Sequence, residues 1–319
     1  MIRVFYHDDP DGILSGAIVN VALLPLERPA TFYPCDYGMD FPWGDIEPDD
    51  EVYMVDFSLP PDELVKLSLM SNFVWIDHHA TSINAWTKAV ENSSLEVREI
   101  PGIRRIGSAG CQLTLEYFGL QIGNLKQYPS LVDLIGTYDV WDKNRPMVPW
   151  DMAKKVFYAF QANGWSPYSR ELVDYLNYAC SRLSEEKSAV GEAFVKKMVE
   201  DGDTIERYLK RYMNPRFQER TFDFDWEGLH WLCINSPLKG SDQIVDKFDL
   251  TKYDGMICYF FDGEFFSYGL YTEHKTPKKS FAELAERHAY GDGASGGGHH
   301  RAARFTSTKN IFEELIPQL

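Results

Sequence analysis

Positive charge, paired cysteines and long apolar runs are all scarce in this chain. Of its 319 residues, 32 are Lys or Arg and 48 are Asp or Glu, a formal net charge of −16. A protein that grips long nucleic acid usually needs a basic face to displace counterions from the phosphate backbone. The balance here argues against a long nucleic-acid track and suits a small anionic substrate held by metals. The five cysteines, Cys35, Cys111, Cys180, Cys233 and Cys258, are odd in number, scattered, and form no Cys-x-x-Cys pair. They read as buried thiols in a reducing cytosol, not as a disulfide frame or a zinc site. No basic-then-apolar leader opens the chain, and no apolar run approaches the ~20 residues of a membrane span. The expectation is a cytoplasmic protein with no membrane partner. Internal repeats and low-complexity tracts are also lacking.

What is present is an ordinary globular balance, with 44% hydrophobic and 14% aromatic residues, enough for one large domain or two. Ile2 to Tyr6 reads as a buried strand that runs into the polar turn His7-Asp8-Asp9-Pro10-Asp11-Gly12 and a helix from Ser15 to Leu23. Val52 to Val55 repeats this, ending in Asp56, with a helix from Asp62. Phe73 to Ile76 does so again, ending in Asp77-His78-His79. Apolar strands alternating with helices predict βαβ units and a parallel sheet, an α/β fold. In such sheets sites gather beyond the carboxyl ends of strands, and all three strands end in Asp or His. Helices are expected over 108–118 and 128–141, the second carrying Asp139. Charged helices with apolar residues at helical spacing are expected from Tyr168 to Tyr212, joining two domains, until Asn214-Pro215 breaks them. Strands return over 231–235, 255–261 and 264–271, with a helix over 280–288. A glycine loop, Gly296-Gly297-Gly298-His299, then precedes a helical Arg301 to Phe305. The expected division is a catalytic domain 1–165, a helical connector 166–213, and a smaller α/β domain 214–319.

His7, Asp9 and Asp11 alternate in an extended loop, which can point three ligands one way. Carboxylate with imidazole suits Mn²⁺, Fe²⁺ or Zn²⁺. The plainer reading is a solvated acidic turn in which Asp8 and Asp9 cap the next helix. Asp56 could equally be a turn residue, and Asp139 alone is unremarkable. As a set, however, four carboxylates and two or three imidazoles on one sheet edge could bind two divalent ions about 4 Å apart, sharing a bridging carboxylate and hydroxide. Gly296 to His299 could cradle an anion at a helix N-terminus, with Lys275, Lys278 and Lys279 adding positive potential. A flexible loop and a solvated charged face are the plainer readings there.

The run His7 to Gly12, then Asp56, then Asp77-His78-His79, then Asp139 resembles the four ordered motifs of the DHH phosphoesterase superfamily. Gly296 to His299, with Ala302-Ala303, is similar to the signature of its associated C-terminal domain, as in the RecJ-like and nano-RNase branch. The resemblance implies that His7 and Asp9 hold one metal, most commonly Mn²⁺, that Asp11, His78 and Asp139 hold a second, and that Asp56 bridges them. It implies that His79 contacts the scissile phosphate and helps protonate the leaving group, and that Asp77 orients a histidine. The glycine loop, His299 and Lys275 would bind the far end of the substrate, with the active site in an interdomain cleft. Two features depart from the pattern. Where relatives carry a phosphate-gripping arginine in a Ser-x-Arg-Ser stretch, Tyr271 stands in Ser267-Tyr268-Gly269-Leu270-Tyr271-Thr272. The connector is also long, and either shapes the cleft or mediates association as a homodimer.

The expected activity is hydrolysis of short oligoribonucleotides (nano-RNA) to 5′-mononucleotides. Cyclic or linear dinucleotides and 3′-phosphoadenosine 5′-phosphate are the rival substrates. A catalytically inert binding or scaffold protein is the alternative of another class.

Overall fold

The computed structural model describes residues 1–37, 39–92, 99–122, 128–180, 185–217, 221–236, 249–274 and 276–313. Its contacts divide the chain into two units, Met1–Arg207 and Tyr208–Leu319.

In the first unit, β1 (Ile2–His7), β2 (Ala30–Cys35), β3 (Glu51–Val55) and β4 (Asn72–Ile76) form a wholly parallel sheet in the order β2-β1-β3-β4. The central strands β1 and β3 are apolar along their length because both sheet faces are covered, as parallel crossovers require: Ile2, Val4, Phe5, Val52, Met54 and Val55 are fully buried, as are Trp75 and Ile76 of β4. The helices are α1 (Pro10–Leu23), α2 (Pro61–Met70), α3 (Ala80–Asn92), α4 (Gly110–Tyr117), α5 (Leu131–Asp139), α6 (Trp150–Asn163), α7 (Arg170–Cys180) and α8 (Glu185–Phe217). Pro10 fits at the first position of α1, where its missing N–H has no helical partner to lose. Leu172, Tyr175 and Leu176 of α7 and Val195 and Met198 of α8 share one core with α1, α5 and α6.

Two expectations fail here. Asn214-Pro215 does not break the helix, since α8 runs on to Phe217. Pro215 falls in its last turn, so a single rung of the ladder, the one its missing N–H would make to the Arg211 carbonyl, is given up near the helix end. The strand β2 has no counterpart in the sequence reading. It is a sheet-edge strand, half-buried or exposed over most of its length and interrupted by Pro34, so it lacks the apolar signature of its neighbours.

The second unit is a mixed six-stranded sheet in the order β5-β6-β7-β8-β10-β9. Its strands are β5 (Thr221–Trp226), β6 (Leu229–Asn235), β7 (Gly255–Phe261), β8 (Phe266–Tyr271), β9 (Gly296–Gly298) and β10 (Ala302–Ser307). Helix α9 (Phe281–His288) buries Phe281, Leu284 and Ala285 in a core with Trp231, Tyr268 and Phe305. The expected helix at Arg301 to Phe305 is instead strand β10. Its residues 303, 305 and 307 are buried in alternation, and it pairs antiparallel with β8, Ala303 opposite Leu270 and Phe305 opposite Tyr268. Period-2 burial against a ready partner overrides the helix propensity of Ala302-Ala303.

Four thiols are buried and Cys180 is half-buried; none is in a disulfide. Burial pushes Cys35 and Cys258 up to about 12 and Cys180 up to about 11. Among the described residues, no helix is long and apolar enough to cross a membrane.

Candidate metal centre

Parallel register aligns the carboxyl ends of three adjacent strands, with Tyr6 paired to Val55 and Val55 to Ile76. The residues that follow are therefore delivered to one edge. His7 closes β1, Asp56 follows β3, and Asp77-His78-His79 follow β4. Asp9 caps α1, Asp11 lies in its first turn, and Asp139 ends α5.

These side chains form two clusters with a shared member. In the first, His7 Nδ1 is 3.0 Å from Asp9 Oδ2 and 4.0 Å from Asp56 Oδ2. In the second, His78 Nε2 lies 3.7 Å from Asp11 Oδ2 and 3.4 Å from Asp139 Oδ2, and 3.0 Å from Asp56 Oδ1. Asp56 thus offers one oxygen to each cluster. Its φ of 55° is left-handed, a region that Asp tolerates better than most residues. Asp9 reconciles the two readings of the turn: Oδ1 accepts the Gly12 N–H at 2.9 Å as an N-cap, while Oδ2 faces His7.

Helix α4 secures Asp11, a role that no sequence motif announces. The Gly110 and Cys111 N–H groups donate to its two carboxylate oxygens at 2.6 and 2.9 Å. Such first-turn donors have no helical partner and favour negative charge. Only glycine fits at 110, because a Cβ there would meet the Asp56 side chain at 2.6 Å.

Behind these clusters, fully buried Asp77 accepts from the His78 and His79 N–H groups through Oδ1 at 2.7 and 3.2 Å. The same oxygen lies 2.7 Å from His79 Nδ1. Burial alone would raise the Asp77 carboxyl, but His79 and these N–H donors hold it below its usual range. For Asp9, too, burial is outweighed, here by His7 and the Gly12 N–H, and its pKa is lowered. Asp56 and Asp139 go the other way. Burial, then repulsion from Asp11 and Asp9, pushes both well above the carboxylate range. His7 is raised well above its usual value because Asp9 and Asp36 outweigh its desolvation.

The residues present fit divalent ions. Asp56 Oδ1 and Asp139 Oδ2 are buried and accept no hydrogen bond among the described residues. Buried, crowded carboxylates call for compensating positive charge. One ligand atom from each of His7, Asp9 and Asp56 lies within 4.8 Å of the others, as do those of Asp11, His78 and Asp139, and those of Asp56, Asp77 and His79. Mixed carboxylate and imidazole donors suit Mn²⁺ and its neighbours.

Two residues beside this edge escaped the sequence reading. Asp36 Oδ1 is 3.6 Å from His7 Nε2, and the Tyr37 ring centroid is 5.6 Å from that of His7. Both follow β2, the strand that the apolar pattern concealed.

In the second unit, Gly296, Gly297 and Gly298 form strand β9 rather than a loop before a helix, so no helix dipole awaits an anion there. A Cβ on Gly296 would lie 2.1 Å from the Ala285 carbonyl oxygen, so close packing against α9 requires that glycine. The His299 N–H donates to the Ala302 carbonyl at 2.7 Å in the turn to β10. Lys275 lies outside the described residues. Tyr271 ends β8 with its ring against Gly269. An exposed cation does stand close by: Arg304 of β10 is opposite Gly297 and Gly269 in register, and donates to Ser267 Oγ at 3.2 Å.

No protein-family model and no curated protein matches the sequence. Solved structures do resemble it. One is the DHH domain of a member of a family of ribosomal proteins, 12% identical, with a TM-score of 0.53, covering 98% of this chain and 84% of that one. Another is the pGpG-specific phosphodiesterase PggH of Vibrio cholerae, 11% identical, TM-score 0.45, covering 96% and 92%. A third is RecJ of Thermus thermophilus in complex with Mn²⁺, 16% identical, TM-score 0.40, covering 95% and 49%. At these identities the likeness is one of fold.

Proposed function

This chain is a protein of the DHH fold, and on that premise we propose that it is a metal-dependent phosphodiesterase that hydrolyses short oligoribonucleotides to 5′-mononucleotides. The observation that carries the proposal is the sharing of Asp56: one buried carboxylate presents an oxygen to each of two carboxylate–imidazole clusters.

His7, Asp9 and Asp56 would hold one ion, and Asp11, His78, Asp139 and Asp56 the other, with Mn²⁺ the expected metal. Bound divalent ions supply charge to offset that on phosphoryl oxygens and acidify water enough for hydroxide to form near neutral pH. The chain's own groups do the rest. The α4 N–H groups hold Asp11 in one orientation. Asp77 fixes the His79 ring through Nδ1, so proton exchange with a leaving oxygen falls to Nε2. The segment 214–319 is assigned to substrate binding, with Gly296, Gly297, Gly298, His299 and Arg304 receiving the end remote from the scissile bond. The net charge of −16 favours short substrates, whose few phosphates lose little by approaching an acidic surface.

The test is product analysis with Mn²⁺ on an RNA dinucleotide, a five-residue RNA, a long RNA and a cyclic dinucleotide. Conversion of the short linear RNAs to mononucleotides, with the long RNA spared, is the expected result. Cleavage of the cyclic compound alone would overturn the substrate. No cleavage of any of them would move the protein to the binding or scaffold class.

A further inference from the structure

The segment after β2 places a part-exposed aromatic side chain, Tyr37, beside the metal centre. Phe41 and Trp43 of this segment pack on the sheet core: Phe41 lies 4.6 Å from the Phe5 ring, and Trp43 is 4.9 Å from Phe41 with Lys66 Nζ 3.7 Å above it. Tyr37 meets the edge of that core at Phe57 and stays 40% exposed. Its ring also leans on the centre. The centroid is 5.0 Å from Phe57, 5.6 Å from His7 and 5.9 Å from His79, the last edge-on. The Tyr37 backbone N–H donates to Asp36 Oδ1 at 2.8 Å, and that carboxylate in turn lies 3.6 Å from His7 Nε2.

A ring on a 40% exposed residue, beside both the residue that begins one cluster and the histidine assigned to the leaving group, is suited to receive a planar group. An exposed aromatic face is left wet unless a ligand covers it, and every base has a π-face that can do so. We propose that Tyr37 is the stacking platform for the nucleobase of a nucleotide bound at this centre. The substrate class is then a phosphodiester bearing a nucleoside, and not a polyphosphate or an alkyl phosphoester. This rests on the metal-centred phosphodiesterase reading for where the phosphate lies, but it is testable without turnover.

The experiment is calorimetric titration of the Mn²⁺-loaded protein with adenosine 5′-monophosphate and with ribose 5-phosphate, for the wild type, Tyr37→Phe and Tyr37→Ala. The wild type and Tyr37→Phe should prefer the nucleotide roughly tenfold, the size of one stacked base. Tyr37→Ala should lose that preference while binding ribose 5-phosphate as the wild type does. Equal affinity of the wild type for the two ligands, or a preference that survives in Tyr37→Ala, overturns the platform. Cleavage of an RNA dinucleotide is read in parallel. A base preference that depends on Tyr37, without cleavage, would leave the platform standing and remove the phosphodiesterase reading.

Discussion

Asp56 meets two opposed demands. It is almost fully buried among other carboxylates, which raises its pKa, yet the proposed metal centre requires it ionised. Asp56→Asn keeps the shape and removes the charge. Turnover should fall by more than about 10²-fold, the loss seen when one preorganised electrostatic group is removed, and bound metal by atomic spectroscopy should fall with it. The metal-free variant should melt higher than the metal-free wild type, because about 1 kcal/mol shifts the midpoint by roughly 2–4 °C at this size. The pH dependence follows in sign. Asp56 and Asp139 have raised folded pKa values, so between the ordinary carboxylate range (~4) and those values the folded state binds more protons than the unfolded one. Stability in chelator should therefore fall as pH rises through that window, and His7 acts the same way above about 6.5. Asp9 and Asp77, with lowered values, stabilise above ~4 and lose that contribution only as pH falls through their folded values. Saturating Mn²⁺ should remove the fall with rising pH; melting curves at stepped pH, with and without the ion, check this. Strand-end residues such as His7, Asp56 and His78 were legible from sequence because a parallel sheet turns spacing into position. The support of Asp11 by Gly110 and Cys111 was not, because backbone N–H groups leave no residue-type signature across 99 positions of chain.

Among the elements, those buried on both faces were the readable ones. Strands β1, β3 and β4 show near-continuous apolar runs, whereas β2 is half-buried or exposed over most of its length and carries no such run to point to Asp36 and Tyr37. Strand β10 was misread because Ala-Ala-Arg has local helix propensity, and only its pairing with β8 decides otherwise. Gly296→Ala should accordingly destabilise the second unit, through the Ala285 carbonyl, where His299→Ala should mainly raise KM; thermal melts and steady-state kinetics separate the two. In the first unit, Lys154 of α6 and Glu206 of α8 pair at 2.6 Å with both side chains buried. Removing one member of a buried pair is destabilising, so Glu206→Ala should lower stability in urea unfolding, and Lys154→Met combined with Glu206→Leu should recover part of the loss.

For the whole molecule, charge sets the reach. An acidic chain should not retain a long single-stranded RNA in a gel-shift experiment at physiological salt, since counterion release has too little positive surface to draw on. Firm retention there would count against the short-substrate proposal. The thiols are a property of the whole chain as well. At a pKa of about 11, the half-buried Cys180 is only ~10⁻⁴ thiolate near neutral pH, and buried Cys35 and Cys258 still less. The native thiols should therefore react slowly with alkylating reagents near neutral pH. A cysteine introduced at Met147, 92% exposed in the first unit, and another at Phe261, 54% exposed in the second, would be the fast-reacting nucleophiles. Spin or fluorescent labels at those two positions could then report the distance between the units in solution, and its change when nucleotide is added, without any native cysteine being removed.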